Sequence, residues 1–107
     1  MKSLKFRPDL VPLVSNGSKT TTWRLFDDKN LQVGDELDLI NKNTKEVFAQ
    51  AKIVIINETT FEKLTSNDWA GHEKFLSPEE MYESYSGYYG CEVNEKTSLK
   101  IIKFELK

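Results

Sequence analysis

The sequence predicts a small α+β protein built on a curved or barrel-like sheet, and three observations lead there. Five stretches carry the β-branched, aromatic or alternating apolar residues of strands. One helical stretch follows the first of them and another precedes the last. The 46–58 stretch is apolar on both parities, as in a strand whose sheet curls and packs on two sides. The 107 residues suit one domain spanning 1–107, with a core of modest size.

Taken in order, "LKF" (4–6) reads as a short first strand. "PDLVPLVSNG" follows as a short helix with Asp9 as its N-cap and Pro12 in the first turn, where a missing N–H costs little. Asn16-Gly17 ends that helix, since its last residue must turn left-handed. Residues 19–25 are strand-like, and Gly34-Asp35 makes a turn into a strand with Leu37 and Leu39 on one side and Glu36, Asp38 and Ile40 on the other. In the 46–58 strand Phe48 shares the parity of Val54 and Ile56, and Val47 that of Ile53 and Ile55. Residues 60–66 suit one or two helical turns. "SPEE" (77–80) is a helix start, with Ser77 as N-cap, Pro78 first and Glu80 closing a capping box. That helix runs through Met81, Tyr82 and Tyr85 and is expected to end at Gly87. "LKIIKFELK" closes as a strand with Ile102, Phe104 and Leu106 on one face and Lys103 and Glu105 on the other.

Composition narrows the function classes. With 38% hydrophobic and 30% charged residues and no long apolar run, a membrane span is not expected. No basic region followed by an apolar stretch marks an export signal, so a cytoplasmic location is expected. The lone Cys91 excludes an intramolecular disulfide, and one histidine beside one cysteine argues against a zinc site. No metal and no cofactor are expected. Net charge is −2, but residues 1–24 carry five Lys/Arg against Asp9, while residues 58–95 carry nine acids against Lys63 and Lys74. An acidic chain disfavours a tight grip on a long phosphate backbone and leaves room for a local basic site.

The stretch "GSKTTTWR" (17–24) holds the first chemical candidates. Lys19 could act as a base toward the Thr22 hydroxyl if burial or neighbouring cations, such as Arg7 and Arg24, lower its pKa. In a regular strand positions 19 and 22 face opposite sides, so the pair converges only if Lys19 belongs to the turn. An edge strand with surface threonines is the ordinary alternative. Glu73 in "AGHEKF" could orient a base or hold an amine, although exposed glutamates are common. His72 could titrate near neutrality, yet a lone histidine is more often a packing residue. Among the aromatics, Trp23 could stack on a base or fill the core. Tyr82 and Tyr85 suit core or boundary positions, and Tyr88 and Tyr89 in "SGYYG" suit a loop.

Taken together, Gly17-x-Lys19-x-x-x-x-Arg24 and the Gly34-Asp35 turn resemble the ASCH family, and the likeness extends over nearly the whole chain. The resemblance implies a small PUA-like β-barrel of about five or six strands with two or three flanking helices. It also implies a cleft at the glycine-lysine turn that takes RNA or a nucleoside- or nucleotide-type ligand. Arg7, Gly17, Ser18, Trp23, Arg24, Tyr88 and Tyr89 are the candidate ligand-binding residues. Lys19 and Thr22 also match, in type and spacing, two proposed catalytic groups of the small bacterial N4-acetylcytidine amidohydrolases. Their third group, a glutamate, aligns with His72 from the preceding Leu64-Thr65 pair, one position before Glu73. The expectation is therefore a binding protein for RNA or a nucleoside-type ligand. An amidohydrolase using Lys19, Thr22 and Glu73 is the second reading, and an interaction module built on residues 82–89 the third.

Overall fold

The computed structural model describes residues 2–25 and 29–107. Its strands are β1 (Lys2–Phe6), β2 (Thr21–Arg24), β3 (Glu36–Asn41), β4 (Val47–Thr60) and β5 (Ser98–Leu106). The helices are α1 (Val11–Ser15), α2 (Ser66–Trp69) and α3 (Pro78–Tyr89), with a 3-10 turn at Phe61–Lys63. The strands form one sheet in the order β1-β3-β4-β5-β2, curled into a half-barrel. β1 and β3 run parallel, and the other neighbours antiparallel. The predicted α+β barrel-like architecture is the one observed. Among the described residues no helix is long and apolar enough to cross a membrane.

Two apolar clusters lie on opposite faces of this sheet. The concave interior holds Leu4, Phe6, Leu37, Leu39, Ile53, Ile102 and Phe104, closed over by Val14 of α1. The outer face carries Trp23, Leu99 and Ile101, covered by Phe61 and by Met81 and Tyr85 of α3. β5 thus buries both parities over residues 99–102, whereas Leu106, assigned by alternation to the core face, is 41% exposed beyond the stretch of β5 that β2 pairs, which ends at Lys103.

A bulge explains why β4 is apolar on both sides. Ile53 pairs with Phe104 but Ile55 pairs with Lys103, so Val54 is the extra residue and the facing of the strand reverses across it. Ile53 is fully buried, Ile55 is 43% exposed, and Ile56 packs on the interior cluster. Ile55 therefore does not share the face of Ile53, as strict alternation required.

Local signals met two more corrections. Asp9 does not cap α1. The N-cap position is Leu10, without a side-chain bond, and Asp9 instead lies 3.3 Å from Arg7. The chain enters that helix through a tight turn in which Leu10 N donates to the Arg7 carbonyl at 2.9 Å, so no carboxylate cap is needed. In α3, the Ser77 hydroxyl accepts from Glu80 N at 3.1 Å, the expected amide half of the box. The reciprocal box is in α2, between Thr65 and Asp68. α3 does not stop at Gly87 but runs to Tyr89, with Gly90 as its left-handed cap. Contacts of Tyr88 and Tyr89 with the barrel outweigh the weak helix propensity of one glycine.

The two edges of the half-barrel, β1 and β2, approach each other without a ladder. Arg24 Nη2 donates to the Lys5 carbonyl at 2.9 Å and Lys29 Nζ to the Ser3 carbonyl at 2.6 Å. Side chains bridge this seam, and a cavity opens beside it.

Candidate functional site

α1 ends at Asn16-Gly17, where Gly17 takes φ +84° and Lys19 N returns to the Leu13 carbonyl at 3.0 Å. β2 begins only at Thr21, so Lys19 belongs to the turn. Its opposite parity to Thr22 therefore does not separate the two residues, and both line one cavity of about 280 Å³. Lys19 is 3% exposed and Thr22 is 4% exposed.

A loop after α2 delivers the carboxylate. Thr20 N and Thr21 N both donate to the Gly71 carbonyl, at 2.9 and 3.1 Å, and Thr21 Oγ1 donates to the Ala70 carbonyl at 2.6 Å. This approach depends on glycine. Gly71 has φ +78°, and a Cβ there would lie 2.1 Å from Thr20 Oγ1 and 3.1 Å from Thr21 Oγ1. Gly71→Ala is expected to cost about 2 kcal/mol, from the left-handed backbone and the crowding together. Urea denaturation checks it, and an unchanged midpoint would count against the docking described.

With the loop held there, Lys19 Nζ donates to the Thr21 carbonyl at 2.8 Å and to Glu73 Oε1. His72 lies beneath the pair. Its Nδ1 is 2.8 Å from the Glu73 carbonyl and 3.2 Å from Glu73 Oε1, and its Nε2 is 3.2 Å from the Tyr85 hydroxyl. A proton on Nδ1 satisfies all of these contacts, with Tyr85 donating to Nε2. Trp23 stacks on the imidazole at 3.8 Å between centroids and donates from Nε1 to the Asp68 carbonyl at 3.2 Å. Trp23 is 2% exposed, so its ring serves chiefly as core.

Burial pushes the Lys19 ammonium below the usual lysine range; Glu73 opposes that shift, and Arg24 and Arg7 reinforce it. For Glu73, burial pushes the carboxyl up, but the His72 ring and the Lys19 ammonium more than reverse this and hold it below its ordinary value. Burial, aided by Lys19, lowers His72 to about 4, so the imidazole is neutral at pH 7. Burial raises the Tyr85 phenol, which keeps it a donor.

Thr22 does not bond Lys19 directly. Its hydroxyl oxygen accepts from Arg24 Nε at 3.1 Å, and the guanidinium lies over the Phe6 ring at 5.0 Å. Chemically, this places a buried amine, a carboxylate and a cation-bonded hydroxyl on one cavity wall. Arg7, Trp23, Tyr88 and Tyr89 line the same cavity. Arg7 lies over the Tyr88 ring at 4.6 Å, and the Tyr89 hydroxyl accepts from Leu25 N at 3.1 Å. Both tyrosines stand on α3, not in a loop. Gly17 and Ser18 are not part of the lining: they shape the turn, with Ser18 N bonded to Asn16 Oδ1 at 2.9 Å.

Lys5, Leu10, Lys42 and Tyr85 were not singled out as cavity residues from the sequence. Lys42 arrives through the parallel β1–β3 pairing, its N bonded to the Phe6 carbonyl at 2.8 Å, and no local pattern announces that. Tyr85 had a signal in its helical spacing from Tyr82 and Tyr89.

No protein-family model and no curated protein matches the sequence. Solved structures do. The ASCH domain of Lactobacillus crispatus JV V101 matches over 89% of this chain and 68% of its own, at 18% identity and TM-score 0.65. The ASCH protein of Zymomonas mobilis matches over 96% of this chain and 65% of its own, at 16% identity and TM-score 0.63. The chain has the ASCH fold. The same ASCH fold extends to a DUF984 protein of Enterococcus faecalis V583, at 15% identity over 92% of this chain and 67% of that one, with TM-score 0.73. It extends also to the hypothetical protein PH0355, which matches over 100% of both chains at 20% identity and TM-score 0.75. At these identities the ASCH likeness is one of fold.

Proposed function

We propose that this protein binds RNA or a nucleotide-type ligand in the cleft beside Lys19. Charge carries the reading. Among the described residues, five cationic side chains, Lys5, Arg7, Lys19, Arg24 and Lys42, line the cavity against one carboxylate, Glu73, in a chain whose net charge is −2. Tyr88 and Tyr89 add ring surface to that basic wall, which suits a base bearing an anionic group. The cavity is at the small end of pockets that enclose a ligand, roughly 300–1,000 Å³, so one base rather than a folded helix fits it. Tyr82 and Tyr85 pack into the outer cluster, so Tyr88 is the one ring of the 82–89 segment left exposed, a small face for a protein-interaction role.

The test is calorimetric titration with nucleosides, their monophosphates and short single-stranded oligonucleotides at two salt concentrations. Phosphate-bearing ligands are expected to bind more tightly than nucleosides, and less tightly as salt rises. Arg7→Ala, which removes a half-buried cation and its contact with Tyr88, is expected to weaken binding about tenfold and to lower Tm only slightly. Failure of every probe to bind would end the reading.

A second reading, hydrolysis of N4-acetylcytidine or a similar modified nucleoside, is favoured by the Lys19–Glu73 pair and Thr22 lining one cavity. Lys19, once neutral, would take the Thr22 proton, and the Thr22 oxygen would attack the acetyl carbonyl. The Arg24 N–H would stabilise the oxyanion, whose collapse breaks the C–N bond as the Lys19 ammonium returns the proton to the departing amine held by Glu73; water activated by Glu73 would then hydrolyse the Thr22 acetyl ester to acetate. Incubation with N4-acetylcytidine should then release cytidine and acetate, and Thr22→Val should stop it. Equal release by that variant would remove Thr22 from the chemistry.

A further inference from the structure

Arg24 also lines a second cavity, of about 480 Å³, where β4 and β5 run out together. Across the sheet, Arg24 pairs with Lys100 and Lys100 pairs with Glu58, while Thr60 pairs with Ser98. Lys63, from the 3-10 turn, joins the lining. Among the described residues, three cations therefore face one carboxylate, and that carboxylate is weakly engaged: Glu58 Oε1 is 3.9 Å from Lys100 Nζ with its side chain 78% exposed. Thr59, Thr60 and Ser98 complete the lining, and the Thr60 side-chain oxygen Oγ1 is buried with no hydrogen-bond partner among the described residues. A threonine redirects its hydroxyl by rotation about χ1, so an acceptor in the cavity could give this one a partner.

Arg24 is fixed between the two cavities. Its Nε is held by Thr22 and its Nη2 by the Lys5 carbonyl, and neither bond uses Nη1. A planar cation held this way, flanked by two lysines and several hydroxyls, has the donor chemistry that recognises a phosphate.

We propose that the cavity of Arg24, Lys63 and Lys100 is a phosphate subsite. The ligand of the Lys19 cleft then carries a phosphate across Arg24 into it. This link rests on the nucleotide reading of the cleft, whereas the subsite itself is tested with inorganic phosphate alone.

Amide chemical shifts read the subsite directly. Inorganic phosphate is expected to move amides within 58–63 and 98–100, and Lys63→Gln/Lys100→Gln is expected to abolish those shifts. Absence of shifts, or shifts unchanged in the double variant, would overturn the subsite. Calorimetry with cytidine, cytidine monophosphate and a cytidine trinucleotide then tests the link. The double variant is expected to weaken a phosphate-bearing probe about tenfold and to leave cytidine within about twofold. Weakened monophosphate binding identifies one nucleotide spanning both cavities, and a loss confined to the trinucleotide identifies a strand. Equal weakening of cytidine and trinucleotide would overturn the link. If no cytidine probe binds while phosphate still shifts the amides, the cleft reading fails and the subsite stands.

Discussion

Acidification from pH 7 to pH 4 is expected to remove about 3 kcal/mol of stability through His72 alone. The imidazole is lowered from 6.5 to about 4 by burial and by Lys19. Each pH unit between folded and unfolded values is worth about 1.4 kcal/mol. Between pH 6.5 and 4 the unfolded chain binds a proton that the folded chain refuses, so the contribution is complete above 6.5 and is lost as pH falls toward 4. Protonation at Nε2 would also force the Tyr85 hydroxyl to stop donating there. Glu73 acts in the same direction. Its lowered carboxyl adds stability that is present above its ordinary value of 4.5 and lost as pH falls through its folded value. Lys19, Lys74 and Glu73 are the charged groups coupled to the ring, and Glu73 alone favours its protonation. Urea denaturation across this range should show the decline. His72→Phe, which retains a ring against Trp23, should flatten most of it at the cost of a constant offset from the lost Tyr85 bond. An equal slope in both proteins would show that His72 does not set it.

The second large effect concerns Lys19 and Glu73 as a pair. Lys19→Met deprives both the Thr21 carbonyl and a mostly buried carboxylate of their donor, and Glu73→Ala leaves the buried ammonium with the Thr21 carbonyl. Each single variant is expected to lose about 2–4 kcal/mol, because a stranded buried charge costs more than the pair contributes. The Lys19→Met/Glu73→Ala double variant is expected to lose less than the sum of the two by at least about 1–2 kcal/mol. Denaturation of the four proteins at pH 7 measures the coupling. Additive losses would mean that the two side chains do not depend on each other.

Local signals made part of this site readable in the sequence. The glycine that ends α1 and the β-branched run after it marked a turn and a strand over 19–25, but which of the two holds Lys19 was open until β2 proved to begin at Thr21. Glu73 was ambiguous because its position relative to Lys19 depends on Gly71, whose carbonyl is bonded by Thr20 and Thr21 far away in the chain. Alignment by neighbouring residues pointed to His72, which instead packs beneath the pair. Gly87 looked like a helix end because propensity is local, whereas the tyrosines beyond it are held by Arg7 and Leu25 N. The bulge at Val54 likewise left no trace except a strand apolar on both parities.

The sheet order also determines when the site can come into existence. Among the described residues β2 has β5 as its only strand neighbour, and the span from Arg24 to Ser98 must be in place before that pairing can form. Such distant pairing is slow, since the entropy of closing the intervening loop is lost before any contact compensates for it. As the chain is synthesised, β2 has no strand to pair with until β5 emerges, while β1, β3 and β4 already have one another. The segment that carries Lys19 and Thr22 is thus among the last to join the sheet, and a chain stalled before β5 would hold much of a barrel and an incomplete cleft.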